Sequence, residues 1–231
     1  LTSTEKYHEF IEKLEKELTA KGLPMPTFIV GQTGTLTRKT EQVGTYNFHN
    51  AYDLAQMAKQ YGVGLKEHNA DYLDDVTLLE HIPANVTASN VAPQYGTEET
   101  RAYLKLCDVE KILKEEGLLD ETSDLRNTLL VKAIKTERWR KWMMGEQRNL
   151  QVEDILKDEA LSLEILDISG HYAFNDEDVK KELQKLYANL AKFHIDGQRF
   201  VVDHIKRPLQ QYAECYNLKG VTSRIRKAIE K

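Results

Sequence analysis

The sequence predicts an α/β protein: three βα units of a parallel sheet, read as the C-terminal part of a TIM (β/α)8-type barrel, followed by a helical extension. Three features lead there. Strand-like and helix-like segments alternate up to Gly117, the pattern of parallel βαβ units. Helical periodicity dominates afterwards, with a single strand candidate at Phe200-Val201-Val202. Each early strand candidate runs into a polar, turn-rich segment, which is where a parallel sheet carries its ligand loops. Three strands cannot close a barrel, which needs eight, and an open sheet leaves an exposed edge. The expectation is therefore that the remaining strands lie in a longer chain or that a partner covers the edge. The expected division is 1–117 for the βα units and 118–231 for the helical extension.

The elements follow in order. Thr2 or Ser3 caps a first helix, with Glu5 in its first turn, the favourable sign for the helix dipole. Tyr7, Phe10, Ile11, Leu14 and Leu18 form its apolar stripe, and Gly22 ends it. Pro24 and Pro26 keep the next segment extended, and Thr27-Phe28-Ile29-Val30 reads as a buried strand. Residues 38 to 47 read as a polar loop. His49 to Tyr61 reads as a helix, with His49 as a capping or solvated residue. Asp74 or Asp75 caps a short helix through His81, stopped by Pro83. Asn85 to Val91 is a third strand, and Thr97 opens a long helix that closes at Gly117. Beyond it come helices from Thr122 or Ser123 to Met144, from Val152 to Ile165 and from Asp176 to Phe193, then a basic, amphipathic tail from Arg224 to Lys231. Trp139 and Trp142, interleaved with Arg138, Arg140 and Lys141, read as aromatics packed inward and cations turned outward rather than as a base-stacking platform.

Composition narrows the function. At 231 residues, 41% hydrophobic and 30% charged, the chain is ordinary globular material with a sizeable core. A net charge of −5 argues against nucleic acid as the main partner, because phosphate backbones need a basic surface. No apolar run nears the roughly 20 residues that span a bilayer. Cys107 and Cys215 have neither metal nor disulfide-framework spacing, so free thiols and a reducing, cytoplasmic setting are expected.

The chemistry concentrates in two strand ends. The first, Gly31-Gln32-Thr33-Gly34-Thr35, is a glycine-bearing loop without the GxxxxGK[ST] pattern of a P-loop; it reads as a turn or as a sugar or phosphate contact. The second, Gly62 to Tyr72, passes from apolar Val63 and Leu65 to Glu67, His68, Asp71 and Tyr72. A His and an Asp at a strand end can move a proton, hold a metal or bind a sugar hydroxyl. His68 and Asp71 are thus the candidate catalytic pair, with His68 the candidate metal ligand. Gln32, Gly34, Glu67, Tyr72 and Asn90 are the candidate ligand contacts.

These residues resemble a known family, the accessory, non-catalytic subunit of class II tagatose-bisphosphate aldolase. Gln32 and Gly34 match its Gln-x-Gly turn, and His68, Asp71 and Tyr72 match its His-x-x-Asp-Tyr strand end. Val91-Ala92-Pro93 answers its Val-Gly-Pro turn, with Asn90 where the family has Lys. Trp139-Arg140-Lys141, Asn189-Leu190 and Gln211-Tyr212 follow in the family's order. An arginine-rich segment of the family is replaced by Ile168-Ser169-Gly170-His171-Tyr172, which puts a bisphosphate ligand in doubt. The resemblance implies a TIM barrel with a helical C-terminal extension, a sugar or sugar phosphate ligand, and a class II aldolase catalytic subunit as partner. The alternative is a ketose or keto-acid epimerase using a divalent metal such as zinc; the chain offers it His68, Asp71 and Glu67 at most. A non-enzymatic helical interaction protein is the third reading.

Overall fold

The structure, a computed structural model, describes residues 1 to 230 and divides them into two compact units. The first comprises Leu1–Val91 with the segment from Pro208 onward, and the second comprises Ala92–Arg207. Together they make a helix-dominated α/β protein with a small parallel sheet. Among the described residues that sheet is open, so a barrel is not what they form. No helix of the described residues is long and apolar enough to cross a membrane.

In the first unit, helix α1 (Thr4–Ala20) starts where Ser3 accepts from the Lys6 amide. Strand β1 (Phe28–Gly31) follows, one residue later than expected. The stretch expected as loop holds a small antiparallel hairpin, β2 (Thr37–Arg38) and β3 (Glu41–Gln42); Gln42 fixes it by donating to the carbonyls of Asn69 and Asp71. Helix α2 (Phe48–Gln60) is capped by Asn47, so His49 is an exposed first-turn residue and not the cap. Strand β4 (Gly64–Glu67), helix α3 (Asp75–Glu80, capped by Asp74) and strand β5 (Val86–Ser89) complete the sequence.

The three longer strands are parallel in the order β1-β4-β5, with Ile29 beside Leu65 and Gly31 beside Glu67. Side chains alternate between the two faces of such a sheet. One face packs Ile29 and Leu65 against Tyr7 and Ile11 of α1 and Leu54, Ala55 and Ala58 of α2. The Tyr7 hydroxyl, its pKa raised to about 12 by burial, donates to the Ile29 carbonyl at 3.0 Å. The other face is open: Phe28 is 40% and Val30 49% exposed, although parallel sheets are ordinarily covered on both sides.

The second unit is helical. Helix α4 (Pro93–Glu115) begins four residues before the expected start because Pro93 occupies its first turn, where a fixed φ and a missing N–H cost nothing. Thr97 is instead buried and donates to the Asp167 carbonyl. Helix α5 (Leu125–Lys135) stops well short of Met144: Glu137 takes a left-handed φ of 54°, and Arg138–Trp142 winds as a 3-10 turn. The expected helix over 152 to 165 is two, α6 (Val152–Ile155) and α7 (Glu159–Ser169), because the Asp158 carboxylate caps the second. Helix α8 (Glu177–Ala191) agrees with its apolar spacing and is capped by Asp176. Phe200–Val202 is not a strand. It lies in helix α9 (Gly197–Cys215), whose first turn donates from Arg199 to the Asp196 carboxylate. The unit boundary falls at Pro208, inside α9, where a proline removes a helical hydrogen bond. Trp139 is fully buried and its indole N–H donates to the Ile134 carbonyl at 2.9 Å, the inward packing expected of it. Helix α4, counted with the βα units on sequence, packs here against α5, α7 and α8. Helix α10 (Val221–Ile229) closes the first unit and starts three residues before Arg224.

Both cysteines are free and buried. Burial pushes the Cys107 thiol up to about 12.

The end of α9 is fastened to the strand-end loops of the first unit by Tyr212, whose hydroxyl donates to the buried carbonyl of Ala70 at 2.8 Å. Tyr212→Phe keeps the ring and orphans that carbonyl, so urea denaturation should report a loss of about 1–3 kcal/mol; an unchanged midpoint would show the bond to be dispensable.

Candidate functional site

The site is built where the three parallel strands end. Register places Gly31, Glu67 and Ser89 side by side, so the residues next in sequence, Gln32, His68 and Asn90, follow at the same end. Alternation, continued one residue past each strand, assigns Gln32, His68 and Asn90 to the open face with Phe28, Val30 and Lys66. Glu67 belongs to the covered face.

Glu67 has no exposure at all. A carboxylate in that position is costly unless neighbours satisfy it. Thr33 donates to its Oε1 at 2.7 Å. Tyr216 donates to the Ser89 hydroxyl at 3.1 Å, and Ser89 donates on to Oε2 at 3.5 Å. The closest partner is His81, whose Nε2 meets Oε2 in a short contact. His81 Nδ1 lies 2.8 Å from the Thr77 carbonyl; a carbonyl only accepts, so Nδ1 carries a hydrogen. The imidazole's second nitrogen and Glu67 therefore share one proton between them. Tyr46 stacks on the His81 ring at 4.3 Å between centroids, and Tyr216 lies tilted at 5.2 Å. Burial raises the Tyr46 phenol, and the charge of Glu67 raises it further.

Of the residues singled out on sequence, Glu67 is thus committed to the protein's own groups. His68 is exposed, and its carbonyl accepts from Thr35 at 2.7 Å. Gln32 is half-buried and donates to the Thr35 carbonyl at 2.6 Å, so Thr35 ties these two strand ends together. Gly34 has a left-handed φ of 107° and approaches the Thr45 carbonyl so closely that a Cβ would stand 2.1 Å from it; the turn needs glycine for its own shape. Asp71 is buried and Tyr72 half-buried at a φ of 61°. Asn90 is half-buried and joins the loops through its backbone, donating to the Glu67 carbonyl and accepting from the Ala70 amide. Among the described residues no group of three His, Cys, Asp or Glu side chains gathers to hold a metal ion, so His68 and Asp71 alone supply too few donors for zinc.

Sequence reasoning passed over Thr33, Tyr46, His81, Ser89 and Tyr216. Ser89 was within reach, since aligning the strand ends sets it beside Glu67. The others come from loops, a short helix end and the turn that follows the distant α9, and no local pattern marks them.

No protein-family model and no curated protein matches the sequence. Among solved structures, a probable tagatose 6 phosphate kinase from Sinorhizobium meliloti 1021 matches with a TM-score of 0.55 and 18% identity, over 93% of this chain and 60% of that one. The fructuronate-tagaturonate epimerase UxaE from Cohnella laeviribosi, solved with glycerol, matches at 0.42 and 12% identity, over 87% of this chain and 40% of that one. The first likeness is one of fold, and the chain spans 60% of that protein's length. The second is too low to carry an argument.

The buried pair has a measurable consequence. Removing either partner strands the other without a counter-group. His81→Ala or Glu67→Ala should each cost about 3–5 kcal/mol in urea denaturation, and Glu67→Ala/His81→Ala should cost less than the two single changes added. Additive losses would show that the two side chains act independently.

Proposed function

We propose that this chain is a carbohydrate-metabolism protein that binds a sugar or sugar phosphate at its strand ends and supports a class II aldolase catalytic subunit. Its three βα units are read as part of a (β/α)8 arrangement. The observation that carries the reading is the fold likeness over 93% of the chain to a protein described as a probable tagatose 6 phosphate kinase. It joins the sequence resemblance to the tagatose-bisphosphate aldolase accessory subunit. The open sheet face and its exposed Phe28 and Val30 support a sheet that other strands complete. Free, buried thiols fit a cytoplasmic setting.

The geometry favours a binding role over a catalytic one. The strongest acid–base pair, Glu67 with His81, is enclosed and satisfied within the protein, which fits it to hold the strand ends rather than to meet a substrate. Gln32, His68 and Asn90 are the polar groups that the strands present at the open face, and hydroxyl recognition needs such donors and acceptors. Kinase chemistry is not carried over from the related fold, because Gly31–Thr35 lacks the lysine of a phosphate-cradling loop.

The test is reconstitution with a class II tagatose-bisphosphate aldolase catalytic subunit. The chain should co-elute with that subunit and raise its activity. His68→Ala should leave the stimulation within about twofold while weakening ketose binding by about tenfold, the loss of one or two good hydrogen bonds. Epimerisation of a ketose or keto-acid by the chain alone, abolished by His68→Ala, would replace this reading with the metal-dependent epimerase.

A further inference from the structure

The segment Ile168 to Tyr172 contains neither Lys nor Arg, and on sequence that spoke against a phosphorylated ligand. The fold brings cations to it from elsewhere. In the 3-10 turn Arg138–Trp142, side chains three apart eclipse one another, so Arg138 and Lys141 project together. Both lie over the ring of Tyr172, the guanidinium carbon 4.9 Å and the ammonium nitrogen 5.1 Å from its centroid. The buried indole of Trp139 anchors the turn between them.

His171 is the third basic group, its ring 4.0 Å from that of Tyr172. It is wedged against Gly96 of α4, where a methyl group would stand 2.6 Å from the imidazole. Its Nδ1 is enclosed without a hydrogen-bond partner among the described residues, so Nε2 is the ring nitrogen that can donate to a ligand. Burial first, then the charges of Lys141 and Arg138, hold this imidazole below the usual histidine range.

The surroundings set these cations apart. Other basic groups of the same unit are matched by carboxylates: Arg101 by Glu98 and Asp167, Lys132 by Asp176 and Asp178, Arg140 by Glu137. Arg138 and Lys141 meet only aromatic rings among the described residues. Two like charges held over one ring, without a counter-charge, attract an anion that can bridge them.

We infer that Arg138, Lys141 and His171, gathered around Tyr172, form a binding site for a phosphate monoester. The phosphate takes charge-assisted hydrogen bonds from the guanidinium and the ammonium, and Nε2 of His171 adds a neutral donor. The site lies wholly in the second unit. It goes beyond the strand-end reading, as an anion site of the second unit in its own right, and does not rest on that reading.

Calorimetric titration of the full chain at low salt tests it, with inorganic phosphate, D-fructose 6-phosphate and D-fructose as probes. Phosphate and the sugar phosphate should bind. Arg138→Gln/Lys141→Gln should weaken both by about tenfold or more without lowering the melting temperature, Lys141→Gln alone should fall between, and the control Lys185→Gln should match the parent. Equal phosphate affinity in the parent and the double variant would overturn the site, as would no phosphate binding by the parent. Fructose binding without phosphate binding overturns this site and leaves the sugar reading standing. Phosphate binding that tracks these residues, with no effect on an aldolase partner, upholds the site and removes the partner reading.

Discussion

A carboxylate shut away from water must be neutralised by its neighbours, and Glu67 draws its neighbours from four separate segments. Thr33 comes from the loop after β1, His81 from the end of α3, Ser89 from the end of β5, and Tyr216 acts through Ser89 from beyond α9. Each bond is short-range, so each segment is held within a few ångströms of the end of β4. The cost of leaving such a charge unmatched greatly exceeds that of an ordinary lost contact. One buried residue thereby fixes the relative placement of the three strand ends. The Gln42 side chain and the Tyr212 hydroxyl add bonds to the carbonyls of Asn69, Asp71 and Ala70 in the same loops.

That bracing lies on the helix-covered face of the sheet. The strand-end residues assigned to the other face, Gln32, His68 and Asn90, are free of this obligation in varying degree. His68 is the most exposed of them. The division gives the strand ends two jobs at adjacent positions in sequence: Glu67 supports and His68 is presented. A shift of one residue in β4 would exchange them, because alternate side chains face opposite ways. The apolar face that β4 shares with α1 and α2 prevents that shift, since Leu65 would leave the core.

The helical unit follows the same rule. Glu110 is buried and satisfied by the Ser123 amide and hydroxyl and by the Asn189 side chain. Arg101 is matched by Asp167 in a two-pronged pair. Against these matched charges, Arg138 and Lys141 stand out because their partner is an aromatic face. A cation over a ring is held in place yet keeps its charge available.

Local sequence determined the elements whose signals are local. The apolar stripes of α1 and α8, the caps at Ser3, Asp74 and Asp176, and the β-prone runs that became β1, β4 and β5 are legible because each depends on residues a few positions apart. Local reading erred where tertiary contact wins. Phe200-Val201-Val202 is β-prone, yet a capped, amphipathic helix absorbs it. The helix after Ser123 breaks at Glu137, where Trp139 turns in to reach the Ile134 carbonyl. The polar character of Glu67, His68 and Asp71 was plain in the sequence, but their roles were not: only the folded sheet decides which face each one takes. The partners His81, Ser89 and Tyr216 lie between 14 and 127 residues from the groups they satisfy. Likewise nothing along the chain joins Arg138 to Tyr172. Sequence records which charges exist, and the tertiary structure decides which of them meet, because electrostatic and hydrogen-bond energies depend on distance in space.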